Sequence, residues 1–139
     1  MSHVDTYQCA FTSLAVLGNA VAQVGGTMRK SDTYAWFGRH VGDYPLPKGY
    51  SVSDMGKCKY AIHFDGVGYE IGVVPSKTTP GTWDLIADFF GPGRVLPDKI
   101  KQIKVEYAVQ AALAWAKAKG YRNVRVQRAS NMAQVLIDG

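Results

Sequence analysis

The sequence predicts an α+β fold: a two-layer sandwich with two helices on one face of a mainly antiparallel sheet. Three stretches between residues 59 and 89 have strand character and are separated by turn signals, as in an antiparallel meander. A segment with helical apolar spacing precedes this meander, and a longer one follows it. The predicted order is β-α-β, long loop, β-β-β, α, β-β, which leaves ferredoxin-like connectivity as one possible arrangement.

The opening unit is predicted to be a strand over 4–11, a helix, and a second strand over 27–37. Thr12 or Ser13 is expected to cap the helix, because a short hydroxyl side chain accepts a hydrogen bond from the first turn. Gly25-Gly26 ends the helix, and the Thr, Tyr, Trp and Phe content of 27–37 favours a strand. The apolar stripe of the helix comprises Leu14, Leu17, Val21 and Val24.

The meander is predicted to have strands at about 59–64, 69–74 and 83–89. The longest helix is predicted from about Pro97 to Lys119, and two more strands follow at 124–127 and 133–137. This helix is expected to pack on the sheet through an apolar stripe of Ile100, Ile103, Tyr107, Ala111, Ala114, Trp115 and Ala118.

Length and composition limit the class of protein. With 139 residues, 47% of them hydrophobic, residues 1–139 are predicted to form a single α+β domain. Cys9 and Cys58 are too few for a disulfide framework and are expected to be reduced thiols. The sequence shows neither an export signal nor an apolar run long enough to span a bilayer, so we expect a soluble, cytoplasmic protein that binds no membrane.

Residues 34–50 are unusually rich in side chains that recognise ligands, and most of them lie in a long loop at about 38–58 that is interrupted by Pro and Gly. A connection of this length favours an ordered, functional segment. Trp, Tyr and Arg dominate interface energetics, so the sequence predicts an accessory protein that recognises a protein partner or a small anionic ligand. The candidate binding residues are Trp36, Arg39, His40, Asp43 and Tyr44.

Two other interpretations of this stretch stay open. In one, the loop folds onto the sheet, Trp36 and Tyr44 join the core, and Arg39 pairs with Asp43. In the other, His40 and Asp43 form the acid–base pair of a small hydrolase or nuclease, with Arg39 as an anion clamp. Because no Ser or Cys is placed by a motif as nucleophile, binding is favoured over catalysis.

The sequence predicts no cofactor and no metal site. The three histidines are far apart, and Gly91-Pro92-Gly93 lacks the Lys and Ser/Thr of a phosphate-binding loop. Asp84 and Asp88 share one face of a predicted strand, where carboxylates could bind a divalent cation. Solvent-facing or ion-paired carboxylates are the commoner explanation of such a pair.

The basic character of the chain belongs to its C-terminal third. Residues 93–139 carry 9 basic and 3 acidic side chains, whereas residues 1–92 carry 7 and 8. A solvated helix rich in Lys is the favoured explanation, and a weak, non-specific and salt-sensitive nucleic-acid binder is the alternative. In that alternative, phosphates contact Arg122, Arg125 and Arg128, and bases stack on Trp36, Tyr44 or Tyr50.

Four stretches carry a family resemblance: Met1-Ser2-His3, Tyr69-Glu70-Ile71-Gly72, Leu85-Ile86-Ala87-Asp88-Phe89-Phe90, and a helix ending in Lys119-Gly120-Tyr121. They resemble a small family of unknown function that occurs in red-algal plastids, cyanobacteria and tailed bacteriophages. The stretch 36–45 is similar to the phage branch. The resemblance implies a phage origin and an AAA-type ATPase as partner, and it supplies no activity and no site residues.

Overall fold

The computed structural model describes residues 2–40, 42, 44–129 and 132–137. Two short 3-10 helices also occur in these residues, at Val52–Asp54 and Gly91–Val95. In chain order the strands and helices are β1 Val4–Phe11, α1 Leu14–Val24, β2 Thr27–Lys30, β3 Tyr60–His63, β4 Ile71–Pro75, β5 Trp83–Asp88, α2 Leu96–Ala118, β6 Val124–Ala129 and β7 Met132–Ile137.

The main sheet has five strands in the order β1-β5-β4-β3-β2, and every neighbouring pair is antiparallel. The predicted α+β fold is confirmed. The ferredoxin-like connectivity is not observed, because the meander β3-β4-β5 inserts as a block between β1 and β2. In addition, α2 is followed by the separate hairpin β6-β7 instead of a strand of the main sheet.

Both helices lie on one face of the main sheet, where they share a core. Ser13 caps α1 by accepting a hydrogen bond of 3.1 Å from the Val16 N–H, as expected for a hydroxyl at this position. On α2, the Tyr107 hydroxyl accepts N–H hydrogen bonds of 3.0 Å from Thr12 and Ser13, which fixes the start of α1. The core of this face includes Leu17, Val21, Ile62, Ile71, Val73, Leu85, Leu96, Ile100 and Ile103.

The predicted stripe of α2 is wrong at its C-terminal end. Trp115 is 51% exposed and does not pack on the sheet. In the C-terminal half of α2 the buried residues are Val109 and Ala116, and neither belongs to the core cluster on this face of the sheet. The helix therefore continues beyond the sheet that buries Ile100 and Ile103.

The opposite face of the sheet is covered by described residues of the segment 31–59, which connects β2 to β3 and is called the covering loop below. The strand predicted over 27–37 ends at Lys30, because the chain leaves the sheet and crosses this face. Tyr34 is buried over Gly72, where an added Cβ would lie 2.6 Å from the Tyr34 ring. The Tyr34 hydroxyl accepts a hydrogen bond of 3.1 Å from the Gly56 N–H, and burial raises the pKa of this tyrosine.

Because of this loop, the central strands of the sheet are buried on both faces. Ala61 and Ile62 are neighbours in β3, point to opposite faces, and are both fully buried. The cluster under the covering loop includes Val4, Tyr34, Met55, Cys58, Ala61, Val74 and Ile86.

The hairpin β6-β7 forms a second, two-stranded sheet, with Val124 opposite Ile137 and Ala129 opposite Met132. It is tied to α2 by an ion pair between Arg128 and Glu106. Within the described ranges, no helix combines the length and the apolar character that crossing a bilayer requires.

Candidate functional site: an aromatic patch around Asp88

Asp88, at the end of β5, joins three separate segments of the chain. Its carboxylate is fully buried on the face that the covering loop occupies. The Oδ1 atom accepts N–H hydrogen bonds from His3 at 2.9 Å and Phe90 at 3.1 Å, and Oδ2 accepts one from Phe37 at 3.2 Å. Hydrogen bonds to a carboxylate are strong. Asp88 therefore holds together the N-terminal segment, the covering loop and the start of the 3-10 helix Gly91–Val95.

Aromatic rings surround this junction. The His3 ring stacks on Tyr44 with centroids 4.5 Å apart and meets the edge of Phe90 at 4.7 Å. Phe37 and Phe90 are each 37% exposed, and the Arg39 guanidinium lies 5.7 Å from the centroid of the Phe37 ring. We call His3, Phe37, Arg39, Tyr44 and Phe90 the aromatic patch.

The backbone at Arg39 is also held by a hydrogen bond, like that of Phe37. The hydroxyl of Ser2, a buried residue, donates a hydrogen bond of 3.0 Å to the Arg39 carbonyl oxygen. The side chain of Arg39 is exposed, so its guanidinium can contact a ligand while its backbone stays in place.

Of the five predicted site residues, Arg39 and Tyr44 belong to the aromatic patch. Trp36 is half-buried and packs against the cluster under the covering loop, with its indole over Gly56. The interpretation of the loop as scaffold therefore holds for Trp36. His40 is half-buried, and Asp43 lies outside the described residues, so the geometry of the proposed acid–base pair and of an Arg39–Asp43 pair is not described.

Sequence reasoning missed His3, Phe37 and Phe90. Phe37 lies inside the stretch 34–50, but the sequence predicts it as the last residue of a strand over 27–37. The alternating pattern of the predicted strand ends at Phe89. Phe90 is thus an apolar residue just beyond the strand, and this position could have indicated its place in the candidate site. No local pattern connects His3 to the other residues of the patch.

Asp84 is a second buried carboxylate that holds a backbone segment. Asp84 Oδ1 accepts N–H hydrogen bonds of 2.9 and 3.1 Å from Cys9 and Ala10, where β1 bulges and Ala10 has a positive φ of 51°. Asp84 and Asp88 therefore act as acceptors for backbone N–H groups. In the ranges that the structure covers, no group of three or more His, Cys, Asp or Glu could hold a metal ion.

Glu70 pins the covering loop to the sheet. It accepts two hydrogen bonds from the Arg29 guanidinium, at 2.6 and 3.2 Å, and one of 3.0 Å from the Ala35 N–H. Burial raises the pKa of Glu70, but the hydrogen bonds from Arg29 and Ala35 and the charges of Arg29 and His63 outweigh it, so the pKa is lowered. These contacts therefore stabilise the ionised form of the Glu70 side chain.

Neither cysteine has the character of an activated nucleophile. Burial raises the pKa of Cys9 and of Cys58 to about 11, so both are neutral thiols near pH 7. Cys58 donates a hydrogen bond of 3.3 Å to the Ser31 carbonyl oxygen. Both cysteines are free, as expected from the sequence.

The arginines of the nucleic-acid alternative lie on β6 and just before it, away from the aromatic residues that were expected to act with them. Arg122 and Arg125 are exposed, whereas Arg128 is held by Glu106. Trp36 and Tyr50 belong to the covering loop and pack against the cluster beneath it. A nucleic-acid-binding surface that includes these arginines would therefore need other aromatic side chains for the bases to stack on.

No family model, curated protein or solved structure matches the chain. The family resemblance, the phage origin and the ATPase partner therefore stay predictions. The function of the protein is inferred below from the geometry of its own residues.

Proposed function

We propose that this chain is a small accessory binding protein whose aromatic patch docks a segment of a partner protein. The observation that carries the proposal is the placement of Phe37 and Phe90. Each ring is partly exposed, and each backbone N–H is bonded to the same buried carboxylate of Asp88. Aromatic side chains on a fixed backbone lose little conformational freedom on binding, which favours affinity.

The chemistry of the patch indicates what the partner segment presents. Phe37 and Phe90 offer apolar ring surface, and the exposed Arg39 beside Phe37 offers a planar cation that pairs well with a carboxylate. The patch therefore fits a segment with an apolar or aromatic side chain close to an Asp or Glu. A small anionic ligand is less favoured, because the patch provides more ring surface than positive charge.

The experiment is a selection of displayed random peptides of about 12 residues on the intact protein, run in parallel on the Phe37→Ala/Phe90→Ala double variant. We expect enriched peptides that combine an apolar and an acidic residue and bind the double variant at least about tenfold more weakly. Trp115→Ala is the matched control, because it removes an exposed aromatic ring near the C-terminal end of α2, outside the aromatic patch.

Two results would contradict the proposal. The first is a selection without enrichment over the double variant. The second is a set of peptides that bind the double variant as tightly as the original protein. Thermal melting of each variant establishes that lost binding is not lost folding.

A partner of the AAA-ATPase type and action in the cytoplasm, of the host cell if the protein is phage-encoded, remain part of this proposal. The ATPase partner can be tested directly with the consensus of the selected peptides. Segments of such an ATPase that match the consensus are synthesised, and their binding to the protein is measured. A hydrolase or nuclease based on His40 and Asp43 is not proposed, because Asp43 lies outside the described residues.

A further inference from the structure

The C-terminal end of α2 carries a second pair of exposed aromatic residues. Trp115 is 51% exposed and Tyr121 is 46% exposed, and their ring centroids are 5.7 Å apart with an angle of 33° between the planes. Neither residue belongs to a core cluster of the main sheet. This pair is separate from the aromatic patch, which lies at the loop-covered face.

The helix cap explains why the two rings meet. Gly120 adopts a positive φ of 83°, its N–H donates to the Lys117 carbonyl at 3.1 Å, and the Tyr121 N–H donates to the Ala116 carbonyl at 3.0 Å. These two bonds define a Schellman cap, which commonly brings an apolar residue after the helix onto its last turn. The contact between Tyr121 and Trp115 still leaves about half of each residue accessible to solvent. The cap therefore fixes a small platform of aromatic surface.

The described residues that flank this platform in the chain carry charge of one sign. Residues 107–129 contain five basic side chains and no acidic one. Lys117, Lys119 and Arg122 are exposed and lie within one turn of the two rings in sequence. The fitting ligand is thus an anion that also has flat apolar faces.

Single-stranded nucleic acid has both properties, because it pairs a phosphate backbone with unstacked bases. An anionic membrane surface is less suitable. Helices that insert into a bilayer surface carry several large apolar residues on one face, whereas the residues one turn from Trp115 on α2 are Ala111, Ala112 and Ala118.

We propose that Trp115 and Tyr121 form a stacking platform for single-stranded nucleic acid, with Lys117, Lys119 and Arg122 contacting its phosphates. The site is independent of the partner-docking patch, so either proposal can fail alone. It also replaces Trp36, Tyr44 and Tyr50 as the aromatic residues of a nucleic-acid-binding surface.

The test measures the fluorescence anisotropy of a labelled oligothymidylate of about 15 nucleotides, and of a duplex of the same length, with the intact protein at about 50 to 200 mM salt. We expect Trp115→Ala and Tyr121→Ala each to weaken binding of the single strand about tenfold, and Trp115→Phe to retain most of it. Arg122→Gln is expected to reduce the slope of log affinity against log salt by about 0.7. The Val52→Ala variant, which truncates an exposed apolar residue of the covering loop outside both proposed sites, is the control and should bind as the original protein does.

Several outcomes would overturn the proposal. They are an absence of binding at the lowest salt, equal or tighter binding of the duplex, and affinities of Trp115→Ala and Tyr121→Ala within about twofold of the original protein. A further one is binding to vesicles of phosphatidylserine and phosphatidylcholine that the oligothymidylate does not displace. Circular dichroism of each variant separates loss of the site from loss of the fold.

Discussion

Replacing Asp88 with alanine removes the acceptor that three backbone N–H groups share. The donors come from His3, Phe37 and Phe90, at 2.9, 3.2 and 3.1 Å. A hydrogen bond to a charged group contributes about 1.5–3 kcal/mol. After the substitution, water can hydrogen-bond to the N–H groups of His3 and Phe37. The loss is therefore smaller than the sum of three such hydrogen bonds. We expect Asp88→Ala to lower the free energy of unfolding by about 3–5 kcal/mol.

Asp84→Ala is the matched control, because Asp84 is also a buried carboxylate on β5 that accepts backbone N–H groups. Its two donors, Cys9 and Ala10, are adjacent in one bulge of β1 and do not belong to the aromatic patch. We expect this variant to lose less stability, about 2–3 kcal/mol.

Urea unfolding gives the stability of both variants, and amide hydrogen exchange shows where order is lost. In Asp88→Ala the amides of Phe37 and Phe90 should exchange much faster than in the original protein. In Asp84→Ala they should keep their protection. A cost below about 1 kcal/mol for Asp88→Ala, or unchanged exchange at these two amides, would refute the role assigned to Asp88.

Three further predictions concern the covering loop and α2. Gly72→Ala should destabilise the fold by about 1–3 kcal/mol in urea unfolding, because the new methyl group displaces Tyr34; an unchanged midpoint would contradict that packing. Trp115→Ala should change stability by no more than about 0.5 kcal/mol, and a cost of several kcal/mol would mean that the ring is buried. The pKa of Glu70 is lowered in the fold, so its contribution is present above the unfolded pKa and is lost as pH falls through the folded one. The stability gap between the original protein and Glu70→Gln should therefore narrow below about pH 4, and a gap that is constant from about pH 7 to 3 would exclude this linkage.

Local patterns predicted most of the strands and both helices, because these depend on neighbours in sequence. The spacing from Leu14 to Val24 and the cap at Ser13 identify α1 without reference to any other segment. The period of two along β3 to β5 likewise indicates strands, whatever covers the second face of the sheet. That covering was not predictable from such patterns: Tyr34 lies over Gly72, 38 positions later in the chain.

The candidate site was predicted only in part for the same reason. Composition pointed to Arg39 and Tyr44, because residue types that are common at interfaces are concentrated in their stretch. It could not identify Asp88 as the organising residue, since two of its donors are 85 and 51 positions away in the chain. Trp115 shows the converse error, because helical periodicity continues along α2 past the point where the sheet ends.

The most direct test of the proposed function is the affinity of the tightest selected peptide for four forms of the protein, measured by isothermal titration calorimetry. These are the original protein, Phe37→Ala, Phe90→Ala and the control Val52→Ala, which truncates another exposed apolar residue of the covering loop. If the aromatic patch is the docking site, each phenylalanine variant binds at least about tenfold more weakly while its melting temperature is retained, and Val52→Ala binds within about twofold of the original protein. Affinities within about twofold for both phenylalanine variants would contradict the account.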